Sequence, residues 1–238
     1  MHKWTHYFDI YESHFKKFKG KKPTVLEIGI FQGGSINLWK EYFKDQVDYY
    51  AIDINPLCKS FESENVKIFI GSQEDKSFLE SVVASMPHPD IIIDDGGHSM
   101  NQQITSFEIL FPFLKENGLY VVEDLHSSYW FNYDGGFTKK TSFIEYSKRI
   151  IDKIHAWHSE SERLKPDYYT KNVYGLHFYD SVLIIDKKGI SPPKPVMSGE
   201  YIFPPEIYNE SFATTKQTTI IGSLFRRIKF KLYKWRYG

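Results

Sequence analysis

Short apolar runs alternate with helical patterns along most of the chain. Five runs read as strands: TVLEIG (24–29), DYYAID (48–53), VKIFIG (66–71), DIIIDD (90–95) and GLYVVED (118–124). They are continuous rather than alternating, the signature of parallel strands covered on both faces. Helical patterns lie between them in INLWKEYF, a short segment after Pro56, DKSFLESVVASM and MNQQITSFEILFPFLKE. Strand–helix alternation of this kind predicts βαβ units and a doubly wound α/β fold. A further helix is expected over 141–157. After it, GLHFYDSVLIIDKK reads as two strands meeting near Asp180 and Ser181, an antiparallel hairpin at the sheet edge. That makes seven strands, mostly parallel. Residues 1–20 read as an amphipathic helical segment outside the sheet, 21–190 as the α/β domain, and 191–238 as a Pro-rich irregular stretch followed by a basic tail.

Composition supports a full core without naming a partner. The 238 residues are 41% hydrophobic and 25% charged, and formal net charge is zero, so no global field points to nucleic acid. The balance is uneven. Residues 222–238 carry Arg226, Arg227, Lys229, Lys231, Lys234 and Arg236 and no acid, which leaves 24 basic side chains against 30 acidic ones elsewhere. Ile221, Leu224, Phe225, Ile228 and Leu232 share one helical face there. A basic amphipathic helix can lie on an anionic membrane, or its apolar face can dock on the body or on a second subunit. The single cysteine, Cys58, permits no intrachain disulfide and fits a reducing compartment. No stretch approaches the roughly 18 apolar residues that span a bilayer. The expected location is the cytoplasm, with the tail offering a peripheral contact at the inner membrane face, and the expected assembly is a homo-oligomer.

The chemistry gathers at strand ends. Glu27, Gly29, Gly33 and Gly34 lie where the first strand turns into a helix, and glycines there let the backbone approach a ligand. A dinucleotide fingerprint fails, because Phe31 stands where its second glycine belongs. The second strand ends at Asp53, placed to accept ribose hydroxyls or simply to cap a helix. Ser72 and Gln73 follow the third strand at a candidate adenine contact, although Ser72 or Asp75 could instead cap the next helix. The fourth strand ends at Asp94 and Asp95, the fifth at Glu123 and Asp124. If those strands are neighbours, roughly 4.8 Å apart, their acids converge. A hard divalent cation such as Mg²⁺ would relieve the repulsion. Glu123 and Asp124 can both reach it only where the strand ends, since successive strand residues face opposite ways. Tyr7 and Tyr11 are candidate cofactor contacts or plain packing residues. The loop after the acidic pair offers His126, Tyr129 and Trp130 to a substrate, with ordinary core or surface roles as the alternative.

The E-x-G-x-x-x-G-G turn resembles the first motif of class I S-adenosylmethionine (SAM)-dependent methyltransferases. Together, VLEIGIFQGGS, IIIDDGGH and LYVVEDLHSSYW resemble the Mg²⁺-dependent sugar O-methyltransferases of macrolide biosynthesis and their bacterial relatives, over about residues 1–186. The resemblance implies a Rossmann-like class I fold with SAM and Mg²⁺ as cofactors. Carried over by motif, Glu27, Gly29, Gly33, Ser35, Asp53, Ser72, Gln73 and Asp94 would hold the cofactor. Asp95, Glu123 and Asp124 would hold the metal, and His98 would be the general base. The implied reaction is methylation of a sugar hydroxyl, on a nucleotide, lipid or natural-product carrier. The rival readings are another vicinal diol such as a catechol, or a non-catalytic SAM-binding scaffold. The resemblance also reaches a branch linked to antibiotic hydroxylation or methoxylation.

Overall fold

The computed structural model describes residues 2–200. The basic tail lies outside the described residues, as does its expected helical face. Seven strands form one sheet: β1 (Thr24–Ile28), β2 (Asp48–Asp53), β3 (Val66–Ile70), β4 (Ile91–Asp94), β5 (Leu119–Val122), β6 (Val173–Tyr179) and β7 (Val182–Lys187). Their order is β3-β2-β1-β4-β5-β7-β6. β1 to β5 pair in parallel, and β7 runs antiparallel to both β5 and β6. The expected doubly wound, mostly parallel sheet with an antiparallel edge hairpin is what the chain forms. The hairpin turns through Asp180 and Ser181, the latter at φ +62°.

The period of two along the central strands divides the core into two layers. Val25, Ile91, Ile93, Val121 and Ile184 face one way, and Leu26, Ile28, Ile92, Val122 and Ile185 face the other. On the second face pack α3 (Lys76–Ala84), α4 (Met100–Leu110) and α5 (Phe143–Ile154) through Leu79, Phe107, Phe143 and Ile150. Each of these helices starts on a cap that satisfies an orphan backbone N–H. Asp75 accepts from Phe78, Ser99 forms a capping box with Gln102, and Ser142 accepts from Glu145. Asp75, not Ser72, therefore caps α3. The long pattern read through residue 116 ends as an α-helix at Leu110 and tightens into a 3₁₀ turn at Phe111–Phe113, where Pro112 lacks the N–H that would continue it.

The first face carries α1 (Tyr7–Phe15) and α2 (Gly34–Tyr42). α1 is not a peripheral attachment. Tyr7, Ile10, Tyr11 and Phe15 are buried, and the rings of Tyr11 and Phe15 meet Trp39 of α2 at 5.0 and 5.3 Å between centroids. This packing carries the hydroxyls of Tyr7 and Tyr11 under the C-terminal ends of β4 and β5. Among the described residues, no helix is long and apolar enough to cross a membrane.

Candidate active site

A cavity of about 490 Å³ opens beyond the C-terminal ends of β1 to β4, where open α/β sheets bind their ligands. Its wall includes Gly29, Ser35, Asp53, Ser72, Gln73, Asp95, His98 and Asp124. Gly29 sits at φ +84°, and a Cβ there would meet the Asp95 carbonyl oxygen at 2.2 Å, so only glycine lets the β1 turn pass beneath the β4 loop.

Asp53 is held at one end of the cavity by backbone donors. Its Oδ2 accepts from the backbone N–H groups of Ile30 and Phe31, both at 3.0 Å, and its Oδ1 accepts from Asn55 N–H at 2.8 Å. The carboxylate thus shapes the glycine turn while lining the cavity with about one of its roughly four acceptor sites free. Gln73 ties β3 to the β4 loop. Its amide donates to Asp94 Oδ1 (3.0 Å) and its carbonyl accepts from Gly97 N–H (2.8 Å). Ser72 accepts from Glu74 N–H in a local turn, and Ser35 is buried at the wall beside Glu27 and Tyr49.

Three expected cofactor residues do not reach the wall. Glu27 is fully buried and accepts from the Trp39 indole (3.0 Å) and the Tyr49 hydroxyl. Gly33 serves as the left-handed residue before α2 at φ +72°. Asp94 is buried against Gln73, and burial pushes its carboxyl up to about 7.

The acidic strand ends converge, and backbone geometry decides which way each acid points. β5 stops at Val122, and Asp124 adopts a left-handed conformation at φ +52°. Asp124 therefore turns back into the cavity while Glu123 stays buried. His98, also left-handed at φ +56°, aims Nε2 at both neighbours, 3.9 Å from Asp95 Oδ1 and 3.6 Å from Asp124 Oδ2. Ligand atoms of Asp95, His98 and Asp124 lie within 4.8 Å of one another. Burial holds His98 below its ordinary value against the pull of Asp124 and Glu123, which keeps the imidazole neutral. Burial, then Glu123, pushes the Asp95 carboxyl up.

The remaining oxygens are held from α1 and the segment before it. Tyr7 OH donates to Asp124 Oδ1 (2.7 Å), and Tyr11 OH donates to Glu123 Oε1 (2.6 Å). Lys3 Nζ donates to both Asp95 Oδ2 and Glu123 Oε2 at 2.7 Å. A cation thus already sits between two of the expected metal ligands. The all-oxygen donors Asp95, Glu123 and Asp124 fit a hard ion. Among the described residues Glu123 is not in the three-residue cluster that could close on an ion; it faces Lys3 and Tyr11 instead. The two tyrosines were candidates for cofactor contact, yet they bond the acids. Lys3 carries no sequence signal, because a lone lysine in an aromatic segment matches no motif.

His126, Tyr129 and Trp130 stand outside the cavity wall. His126 Nδ1 contacts Ser181 Oγ, and its ring meets Trp130 (4.5 Å) and Trp4 (6.1 Å). Tyr129 and Trp130 are half-exposed, and Phe131 and Phe137 more so. This loop is an aromatic rim next to the acids. Cys58 is buried, its thiol donating to the Phe31 carbonyl, consistent with a packing role.

No family model matches the chain. Known enzymes do. The chain is 34% identical over 194 residues to the 8-demethyl-8-alpha-L-rhamnosyl tetracenomycin-C 2'-O-methyltransferase of Streptomyces olivaceus, covering 78% of this chain and 51% of that enzyme. It is 34% identical over 189 residues to demethylmacrocin O-methyltransferase of Streptomyces fradiae, covering 74% and 47%. The solved MycE methyltransferase of the mycinamycin biosynthetic pathway, in complex with Mg, SAH and mycinamycin VI, superposes with a TM-score of 0.73 at 30% identity, over 79% of this chain and 50% of that one. The chain has the class I methyltransferase fold, and its homologues are sugar O-methyltransferases. It spans about half the length of the relatives it matches.

Proposed function

We propose that residues 21–190 form the catalytic domain of a SAM- and Mg²⁺-dependent O-methyltransferase acting on a sugar hydroxyl. The observation that carries the reading is the His98 imidazole, placed 3.9 Å from Asp95 and 3.6 Å from Asp124 on the wall of a cavity that Asp53 also lines. SAM would supply an activated methyl group on its sulfonium. Mg²⁺ would lower the pKa of a coordinated hydroxyl, as it does for water.

The chain's own residues do the rest. Asp53 accepts from the nucleoside ribose while the Ile30–Phe31 turn keeps its carboxylate in place. Ser72 and Gln73 border the base end, and Ser35 lies at the wall with them. Asp95, Glu123 and Asp124 would hold the metal: Asp95 and Asp124 present the oxygens that Lys3 and Tyr7 leave free, and Glu123 would join through the Oε2 that Lys3 now covers. His98 Nε2 takes the acceptor's proton, which its depressed basicity permits without prior deprotonation at neutral pH. Its neighbours stabilise the imidazolium that results. No covalent enzyme intermediate is needed, so alignment is the main contribution.

The relatives act on sugars attached to antibiotics, and the exposed Tyr129–Trp130 rim offers stacking surface to a sugar ring. The deciding experiment is a screen of glycosylated natural products, nucleotide-sugars and catechols with SAM and Mg²⁺, read by mass spectrometry. Methylation of a sugar-bearing acceptor supports the reading. Turnover confined to catechols would move it to the non-sugar class, and SAM binding without any turnover would favour a scaffold. The six basic residues of 222–238 further motivate a peripheral role at an anionic membrane. Binding to anionic but not neutral vesicles, lost on deleting 222–238, is the expected result. A change of oligomeric state without vesicle binding would make the tail an assembly element of a homo-oligomer instead.

A further inference from the structure

Glu27 on β1 and the acids beyond β4 and β5 share a counterion supplied by the chain itself. Lys3 Nζ lies 2.7 Å from Asp95 and from Glu123 and 3.8 Å from Glu27 Oε1. Its side chain is 2% exposed, and those of Glu27 and Glu123 are fully buried. One ammonium faces three carboxylates, so positive charge is short. Burial works against the charged ammonium, but Glu123, Glu27 and Asp95 hold it protonated. Lys3 belongs to no helix or strand. It is delivered by the segment His2–His6, whose His2 and Lys3 line the same cavity as Asp53 and His98, and whose Trp4 rests half-exposed against His126.

Asp95 Oδ1 and Asp124 Oδ2 are free of Lys3, so an ion that also takes Glu123, the third expected ligand, needs Glu123 Oε2, which Lys3 now holds. An ammonium is a compact charge on a flexible stem. It can leave without unfolding an element, whereas Tyr11 is locked in α1. Both cations would then claim Glu123 Oε2, so a metal held by all three acids and the Lys3 contact are mutually exclusive. Resting on the metal reading above, we propose that Lys3 is an exchangeable counterion. It holds Asp95 and Glu123 in the metal-free protein, and the incoming divalent ion expels it, releasing the His2–Trp4 strap from the cavity mouth.

The test is calorimetric titration of Mg²⁺ alone into the full chain and into Lys3→Met and Lys3→Arg, without SAM or acceptor. Removing the competitor should tighten Mg²⁺ binding by roughly 5- to 150-fold in Lys3→Met, the ordinary span of coupling between linked sites. Lys3→Arg, which keeps the charge, should stay near the parent. A second measurement uses the unaltered protein: trypsin cleavage after Lys3, followed by mass spectrometry, should accelerate when Mg²⁺ is added. If Lys3→Met does not fold, that cleavage decides. Equal Mg²⁺ affinity in the parent and Lys3→Met would overturn the exchange while leaving the metal reading intact, and so would Mg²⁺-independent cleavage where Lys3→Met does not fold. Absence of Mg²⁺ binding in every variant would sink the metal reading and the exchange with it.

Discussion

Replacing Asp53 separates its two tasks. The carboxylate accepts three backbone N–H groups, from Ile30, Phe31 and Asn55. Only the Ile30 bond is shielded on its residue's side, since Ile30 is buried and Phe31 and Asn55 are exposed to water that can replace the lost acceptor. Asp53→Ala should therefore cost about 1 kcal/mol of stability, a fall of about 2–4 °C in Tm for a chain of this size. The cofactor should feel more. Three of the carboxylate's roughly four acceptor sites are taken, so one ribose hydroxyl can donate to it in a charge-assisted bond of about 1.5–3 kcal/mol. Losing it should weaken S-adenosylhomocysteine binding by roughly 10- to 10²-fold, at about 1.4 kcal/mol per decade. Asp53→Asn keeps an acceptor oxygen but not the charge and should fall between the two. Isothermal calorimetry gives the Kd values and a thermal melt gives the Tm. A Kd within about twofold of the parent in Asp53→Ala, with the small Tm loss confirmed, would refute the placement of the nucleoside.

Other perturbations address the acids, the base and the frame. His98→Ala should lower kcat by roughly 10²- to 10⁴-fold with cofactor affinity unchanged in calorimetry, and a near-normal rate would hand the proton to another group. Because burial depresses the His98 pKa, its neutral form persists below the ordinary value of 6.5, so the acid limb of the pH–rate profile should lie below that pH. Tyr11→Phe leaves buried Glu123 one donor short and should destabilise the protein by about 2 kcal/mol, visible as a Tm loss of about 4–8 °C. Lys187 donates to the carbonyls of Phe111, Pro112 and Leu114 at 3.2, 2.7 and 2.6 Å, closing the end of the α4 segment. Lys187→Met should cost about 3 kcal/mol in denaturant unfolding without changing cofactor affinity.

The strands were legible because each central run is apolar on both faces, and the two core layers share alternate residues of the same strands. The helix caps at Asp75, Ser99 and Ser142 lie where residue type alone would put them. Less legible was α1. Its amphipathic pattern says that one face is buried but not against what, and only the tertiary packing on Trp39 brings Tyr7 and Tyr11 to the acids. The adjacent pair Glu123–Asp124 reads in sequence as one feature. The left-handed turn at Asp124 splits it into a buried acid and a cavity-facing one. Glu27, conspicuous in its motif, proves to be tied to Trp39 and Tyr49 behind the cavity. Lys3 was invisible because its partners come from positions 24, 92 and 120 residues away in the chain.

The central claim is that acids held at the ends of β4 and β5 assist methyl transfer to a sugar through a divalent cation. Its most direct test is the rate of methyl transfer from SAM to a sugar-bearing acceptor, measured before and after rigorous chelation and again after Mg²⁺ is restored. The account predicts loss of turnover on chelation, recovery with Mg²⁺ in the parent, and no recovery in Asp95→Ala or Asp124→Ala proteins that still bind S-adenosylhomocysteine. Undiminished transfer after chelation, or full activity in either variant, would contradict it.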